Sequence, residues 1–130
     1  MILIIGIGTD LVDIARVSDS VAKLGERFID RILTQDEKQQ WALISNPLKR
    51  DAFVAKRFAA KEAAVKALGT GIGRGVSFQH FQVENLPTGQ PILVVSAEIA
   101  SRFTSPVTWH LSLTDEKAYA QAFVILEAKE

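Results

Sequence analysis

One long helix followed by a glycine-rich turn constrains the fold of this chain more than any other feature. Residues 57–75 read Arg-Phe-Ala-Ala-Lys-Glu-Ala-Ala-Val-Lys-Ala-Leu-Gly-Thr-Gly-Ile-Gly-Arg-Gly. Upstream of them, Asn46 offers an N-cap oxygen and Pro47 suits the first helical position. Gly69 tolerates the left-handed conformation of a C-terminal cap. The sequence therefore predicts a helix over residues 47–68.

Two charged residues fall on the stripe of this helix that should face the core. On a 3.6-residue period, one stripe contains Leu48, Ala55, Ala59, Glu62 and Lys66. Charges there destabilise the fold unless they are paired or bind a ligand. The alternative is a surface i,i+4 pair, which contributes about 0.2–0.5 kcal/mol. Since Arg50, Arg57 and Lys61 are assigned to other, solvated sides, solubility does not require the pair, and both interpretations stay open.

The composition bounds the class of protein. The chain has 130 residues, 48% of them apolar, which predicts a single domain over residues 1–130. Equal numbers of acidic and basic residues argue against a nucleic-acid binder. The sequence has no cysteine, which excludes disulfides and thiolate nucleophiles. Residues 1–7 lack the features of a signal peptide, and no apolar run reaches the ~20 residues of a membrane span, so we expect a cytoplasmic protein without membrane association.

Shorter elements surround the long helix. The local patterns predict a strand over 2–9, helices over 14–24, 26–32 and 35–44, strands over 76–83 and 91–95, a helix over 97–103, and a hairpin of 109–113 with 119–126. Thr34 and Glu37 match a capping box, and a shift of apolar phase between Phe78 and Phe81 suggests a bulge. The predicted class is α+β, with a mainly antiparallel sheet packed against the long helix and the shorter N-terminal helices.

A carboxylate stands at the end of the first predicted strand. Asp10 closes the segment Gly6-Ile7-Gly8-Thr9-Asp10, in which the glycines allow a close approach of backbone or ligand. An aspartate in this position is most often a turn or cap residue. Together with Glu62, however, it suggests a magnesium site, because Mg²⁺ takes one or two protein carboxylates and completes its shell with water and phosphate oxygens. That arrangement favours a phosphorylated substrate.

The remaining polar motifs are each open to two interpretations. The turn over Gly69–Gly75 either wraps phosphate with backbone amides or serves as a helix cap and connector. It lacks the ending of a Walker A loop. His110 shares a strand face with Ser112, and an imidazole can accept a proton near neutral pH. His80 is interpreted as a structural histidine.

Four motifs follow one another along nearly the whole chain. They are Gly6–Asp10, Arg57–Lys66, Gly69–Gly75 and the segment His110-Leu-Ser-Leu-Thr-Asp. Together they resemble the holo-[acyl-carrier-protein] synthase family of 4′-phosphopantetheinyl transferases. The resemblance implies magnesium-dependent transfer of the phosphopantetheine arm of coenzyme A to a serine of apo-acyl carrier protein, in fatty acid biosynthesis. It also implies a compact α+β unit assembled as a homotrimer with active sites between subunits.

The resemblance also implies roles for individual residues. Asp10 and Glu62 would hold Mg²⁺, Lys66 would stabilise phosphate charge, and His110 would position the reactants or act as base. Candidates for coenzyme A are the basic residues Lys49, Arg50 and Arg57, the turn glycines Gly69, Gly71 and Gly73, and Pro87, Thr88 and Gly89 near the adenine. The acidic carrier would dock on Arg16, Lys23 and Arg27, whose spacing follows one helical stripe.

Two other functions compete with this interpretation. A magnesium-dependent nucleotide pyrophosphohydrolase would use the same carboxylates but would consume coenzyme A without a protein acceptor. A non-catalytic nucleotide-binding or assembly module would use Glu62 and Lys66 only as a structural ion pair across a subunit interface.

Overall fold

The computed structural model describes residues 1–129 as five strands, five helices and one 3₁₀ turn. The strands are β1 Ile2–Asp13, β2 Phe81–Asn85, β3 Pro91–Val95, β4 Val107–Asp115 and β5 Tyr119–Lys129. The helices are α1 Ile14–Leu24, α2 Glu26–Ile32, α3 Gln35–Ala42, α4 Pro47–Leu68 and α5 Ala97–Ala100. Within residues 1–129, no helix combines the length and apolarity needed to cross a bilayer.

The strands form two antiparallel sheets. One has three strands in the order β1-β5-β4, and the other is the hairpin of β2 and β3. Helix α4 packs mainly against β1 and β5. The predicted α+β class and antiparallel pairing are therefore confirmed.

Close packing of α4 on β1 depends on two glycines. A Cβ atom on Gly6 would lie 1.9 Å from the carbonyl oxygen of Ala67, and one on Gly8 would lie 1.9 Å from that of Ala63. Both distances are far inside van der Waals contact, so only glycine permits this approach. The predicted close approach at these glycines is confirmed, and its partner is the helix backbone.

A bulge divides β1 into two parts with opposite side-chain phase. The pairing with β5 shifts between Ile4 and Gly6. As a result Ile2 and Ile4, before the shift, point to the same side of the sheet as Ile7 and Leu11, after it. We call this side, which faces away from α4, the outer face. All four side chains are about 60% exposed: Ile2 61%, Ile4 63%, Ile7 60% and Leu11 63%.

The predicted bounds of α4 are confirmed. Asn46 Oδ1 accepts a hydrogen bond from the amide of Lys49, and Gly69 adopts the left-handed cap with φ 86°. Its predicted stripe is wrong at the first turn, however, because Leu48 is 78% exposed. Within residues 1–129, the packing around the first turn of α4 leaves Leu48 at the surface.

The predicted strand over 76–83 is wrong in its first half. Residues Phe78–His80 form a 3₁₀ turn, and β2 begins only at Phe81. The amide of Ser77 donates to His80 Nδ1 at 3.0 Å, and this local cap competes with strand pairing. The shift of apolar phase in the sequence therefore marks a turn, and the bulge of this fold lies in β1.

A buried ion pair connects three helices and β2. Lys61 and Glu37 are both fully buried and form a salt bridge. Lys61 Nζ also donates to the carbonyl of Ile32 at the end of α2, at 2.6 Å. Glu37 accepts from the amide of Thr34, which confirms the capping box, and from the amide of Val83 on β2. The assignment of Lys61 to a solvated side was wrong, because α2, α3 and β2 cover this side of α4.

Candidate active site

Asp10 and Lys66 come together where β1 meets the last turns of α4. Lys66 Nζ lies 3.1 Å from Asp10 Oδ1 and donates to the carbonyl of Thr9 at 2.8 Å. The side chain of Lys66 is half exposed, whereas that of Asp10 is largely covered. The ion pair of Lys66 with Asp10 thus joins α4 to β1. Lys66 does not form the local i,i+4 pair with Glu62 that was the alternative.

Glu62 and Asp10 line one open cleft of about 430 Å³ between α1, α2 and α4. Its walls include Phe28 of α2 and Phe58 of α4, and Arg16 of α1 lies at the same cleft. Partial burial raises the pKa of the Glu62 carboxyl, and the nearby charge of Asp10 raises it further. Lys66 and Arg31 act in the opposite direction. Two carboxylates therefore repel each other beside an accessible space.

The donor set of this cluster suits a hard divalent cation. Asp10 and Glu62 supply two carboxylates, which is the usual protein contribution to a Mg²⁺ site. A cation between them would relieve the repulsion that raises the Glu62 pKa. Two carboxylates leave most coordination positions to water or phosphate oxygens, so the residues fit the ion that the sequence suggested. No group of three or more acidic, histidine or cysteine ligands occurs among residues 1–129.

His110 lies on the other side of the sheet from this cluster. It pairs with Ile125 of β5, which pairs in turn with Ile7 of β1. This register places its side chain on the outer face, whereas Asp10 belongs to the face that packs against α4. His110 Nε2 instead lies 3.3 Å from Glu127 Oε1. Within one chain His110 therefore lies on the opposite face of the sheet from Asp10, and its role at the site stays a prediction.

The predicted coenzyme A residues divide between the two ends of α4. Lys49 and Arg50 lie in the first turn, whereas Gly69 caps the last turn. The 22 residues of α4 span about 33 Å. One copy of the chain therefore does not bring Lys49 or Arg50 to the Gly69–Gly75 turn.

Arg57 connects α4 to the Pro87–Gly89 turn, the predicted adenine contact. It is buried, contrary to the sequence assignment, and its guanidinium stacks 4.1 Å from the Phe53 ring centroid. Its Nη2 donates to Asn85 Oδ1, and Asn85 Nδ2 donates to the carbonyl of Gly89. Arg57 Nε is buried without a hydrogen-bond partner among residues 1–129. Arg57 and the Pro87–Gly89 turn therefore belong to one region.

The glycine-rich turn contains several residues with positive φ angles. Gly69, Gly71, Gly73 and Gly75 all adopt them, and so does Arg74 with φ 54°. The first of these glycines is the helix cap, and Gly73 pairs with Val76 as an isolated bridge. The connector interpretation is thus confirmed, and phosphate binding by this turn stays a prediction.

The three predicted docking residues lie on two helices. Arg16 and Lys23 are on α1, whereas Arg27 is on α2. Gly25, with φ 62°, separates the two helices. Arg31 was missed by the sequence reasoning, although its charge acts on Glu62. Its i+4 spacing from Arg27 was a signal, but only the packing of α2 beside α4 places it near the cleft.

The sequence is similar to known proteins over nearly its whole length. The model of the 4′-phosphopantetheinyl transferase superfamily matches residues 6–125. The chain is 72% identical to a holo-[acyl-carrier-protein] synthase of Marinomonas sp. (strain MWYL1), over 98% of the chain and 100% of that protein. It is 48% identical to the holo-[acyl-carrier-protein] synthase of Shewanella oneidensis, over 97% and 98%.

Solved structures show the same fold. A holo-(acyl-carrier-protein) synthase of Bacillus anthracis, in complex with CoA (3′,5′-ADP), superposes with a TM-score of 0.83 at 40% identity, over 97% of this chain and 98% of that one. The holo-[acyl-carrier-protein] synthase of Neisseria meningitidis gives a TM-score of 0.86 at 34% identity, over 98% and 100%. The likeness therefore extends over the whole described fold.

Proposed function

The chain belongs to the 4′-phosphopantetheinyl transferase superfamily, and we propose that it transfers 4′-phosphopantetheine from coenzyme A to a serine of apo-acyl carrier protein. The products are holo-acyl carrier protein and adenosine 3′,5′-bisphosphate. The observation that carries this proposal is the convergence of Asp10, Glu62 and Lys66 beside one open cleft. We place the reaction in the cytoplasm and in fatty acid biosynthesis.

The reaction exchanges one phosphorus–oxygen bond for another. The serine oxygen attacks the β-phosphorus of coenzyme A, the bond to the adenosine bisphosphate breaks, and the serine proton passes to a base. Asp10 and Glu62 would hold a Mg²⁺ ion, which would neutralise negative charge on the pyrophosphate. Lys66 adds a positive charge at the same place, and its bond to the Thr9 carbonyl orients the ammonium.

The basic residues away from the cluster provide the remaining recognition. We assign Lys49, Arg50 and Arg57 to the phosphates of coenzyme A, with Gly69, Gly71 and Gly73 along its path and Pro87, Thr88 and Gly89 at the adenine. The buried, unpartnered Nε of Arg57 supports this assignment, because such a donor gains a partner when a phosphate binds. We assign Arg16, Lys23 and Arg27 to the acidic carrier, since Arg16 lies at the cleft itself.

We propose assembly as a homotrimer through the outer face. A row of exposed isoleucines and leucine on β1, together with Phe123 of β5 at 43% exposure, is unusual for the surface of a monomer. A second copy packed there would bury this row. Such packing would also allow His110 and the residues at the two ends of α4 to meet in a site shared between copies. The trimer thus accounts for candidates that one chain keeps apart.

One experiment separates this function from its rivals. The protein is mixed with coenzyme A, Mg²⁺ and apo-acyl carrier protein, and the carrier is weighed by mass spectrometry. We expect the mass gain of one phosphopantetheine group, and no gain on a carrier whose acceptor serine is alanine. Consumption of coenzyme A without a carrier would indicate the pyrophosphohydrolase. Binding without any turnover would indicate the nucleotide-binding module.

A further inference from the structure

Two walls of the active cleft are fixed to the rest of the molecule in different ways. Asp10 and Glu62 are on β1 and α4, whose close packing depends on Gly6 and Gly8. Phe28, on α2, lines the cleft on the other side. The position of α2 relative to α4 therefore sets the width of the cleft without altering the contact between β1 and α4.

One buried polar contact joins the end of α2 to α4, beside the apolar packing of Ile29 and Ile32 in the core. Lys61, next to Glu62 in the chain, donates to the carbonyl of Ile32, the last residue of α2. That carbonyl is one of those left without a partner at a helix end. Glu37 balances the charge from the first turn of α3, where it accepts from two backbone amides. The Lys61 ammonium and both oxygens of Glu37 thus have hydrogen-bond partners, which restricts the geometry of this buried junction.

The other polar contacts of α2 do not reach α4. Gln79 Nε2 donates to the carbonyls of Asp30 and Leu33, both at 2.7 Å, from the 3₁₀ turn before β2. Lys38 of α3 pairs with Asp30 and Glu26 on the surface. Among the hydrogen bonds and ion pairs between residues 1–129, the contact of Lys61 is the one that ties the end of α2 directly to α4.

We propose that Lys61 is a positioning residue for the carrier protein, which holds the α2 wall at a fixed distance from Glu62. This inference rests on the proposed function. Arg27 and Phe28 of α2 would meet the carrier, and Glu62 would meet the phosphates, so the junction sets the distance between docking and chemistry. The residues assigned to Mg²⁺ and coenzyme A all lie outside α2, so their binding should not change when α2 shifts.

The test removes both charges together. A single Lys61→Met change leaves a buried carboxylate unpaired and destabilises the fold strongly, whereas removing both partners of such a pair is far better tolerated. The double variant Lys61→Met, Glu37→Gln retains the stem of residue 61 and one acceptor at residue 37. Lys38→Met is the matched control, because it removes an α2–α3 ion pair without touching α4.

The expected result is a split between the two substrates. The Michaelis constant for the carrier rises by about tenfold or more in the double variant, since a misplacement of about 1 Å can cost up to about 100-fold. The dissociation constant for Mg²⁺–coenzyme A, measured by calorimetry without carrier, stays unchanged, and Lys38→Met keeps a normal carrier constant. An unchanged carrier constant in the folded double variant, or a parallel loss of coenzyme A binding, would overturn the proposal.

Amide hydrogen exchange tests whether the junction holds α2 in place, independently of the reaction. In the double variant the amides of α2 should exchange faster while those of β1 and β5 keep their protection. Where the variant does not fold, the wild-type protein decides, since α2 should open with the same free energy as α4. Opening of α2 at a much lower free energy than α4 contradicts the junction. Failure of the wild-type protein to modify any carrier counts against the proposed function and leaves this exchange result unaffected.

Discussion

Gly8 lies directly against the carbonyl of Ala63, so a methyl group on Gly8 would approach that oxygen to 1.9 Å. Because Ala63 precedes Lys66 by one turn, this contact sets how closely the end of β1 approaches the cluster on α4. The distance of 3.1 Å between Asp10 Oδ1 and Lys66 Nζ therefore depends on the absence of a side chain at Gly8.

Gly8→Ala should separate β1 from α4. Overpacking of a rigid backbone contact destabilises by about 1–3 kcal/mol or more, which thermal or urea unfolding measures. Any folded fraction should also lose turnover, since Asp10 moves away from Glu62. Gly89→Ala is the control: no atom lies within 4 Å of its added Cβ, so only the strain of φ 92° remains. Equal stability of the two variants would contradict the role assigned to this contact.

Glu62→Gln should abolish turnover and the response of stability to Mg²⁺. In the wild-type protein, Mg²⁺ should raise the melting temperature above the value with coenzyme A alone, because a ligand that binds only the folded state stabilises it. The variant loses one carboxylate of the pair and should show no such rise. Turnover of Glu62→Gln near the wild-type rate at low Mg²⁺ would refute the metal assignment.

The Glu62 charge should also lower stability as the pH rises. Its pKa in the folded protein lies above the ordinary value of 4.5, so the folded state binds the proton more readily than the unfolded state. This contribution is complete below pH 4.5 and is lost as the pH rises through the folded pKa. Without Mg²⁺, the melting temperature of Glu62→Gln minus that of wild type should therefore increase from pH 4.5 towards neutrality. Glu116→Gln, on the exposed β4–β5 turn, serves as control.

Lys66→Ala should affect catalysis much more than stability. The ion pair with Asp10 is half exposed on the lysine side, and such pairs contribute about 0–1 kcal/mol. Loss of a charge that stabilises the transferring phosphate should reduce kcat by about 100-fold or more. Unfolding curves and steady-state kinetics separate the two effects. Normal kcat with reduced stability would make Lys66 a purely structural residue.

Charge reversal on α1 and α2 should weaken the encounter with the carrier. In the double variant Arg16→Glu, Arg27→Glu, we expect a higher Michaelis constant for the carrier and a weaker dependence on salt, because charges at the rim of an interface mainly set the association rate. Binding of coenzyme A should be retained. Lys117→Glu makes a single charge reversal on the β4–β5 turn and should leave the carrier constant unchanged. Identical carrier kinetics in the double variant would place the docking surface elsewhere.

The sequence predicted those features that depend on local chemistry. The bounds of α4 followed from Asn46, Pro47 and Gly69, and the start of α3 followed from its capping box, because each signal acts within one turn. A local signal also decides where β2 begins. The predicted strand over 76–83 was wrong in its first half because the hydrogen bond between Ser77 and His80 was not recognised.

Features that depend on distant packing could not be predicted in the same way. Lys61 has the pattern of a surface lysine, and only the arrival of α2, α3 and β2 buries it. Alternation along β4 separated the two faces of the strand but could not say which one faces α4. The site role of His110 rested on the family resemblance, and only the pairing of three strands shows that its side chain lies on the outer face.

The bulge in β1 reverses the alternation of side chains between the two halves of the strand. Ahead of it, even-numbered residues point outward, and beyond it odd-numbered residues do. Unbroken alternation back from Gly6, which faces α4, would turn Ile2 and Ile4 towards α4 and Leu3 away from it. The extra residue Ile5, which the register with β5 skips, prevents this. Deleting Ile5 would remove the bulge and leave Ile2 and Ile4 on the outer face beside Ile7 and Leu11. The apolar row on which a neighbouring copy would pack therefore depends on the register of this segment as well as on its composition.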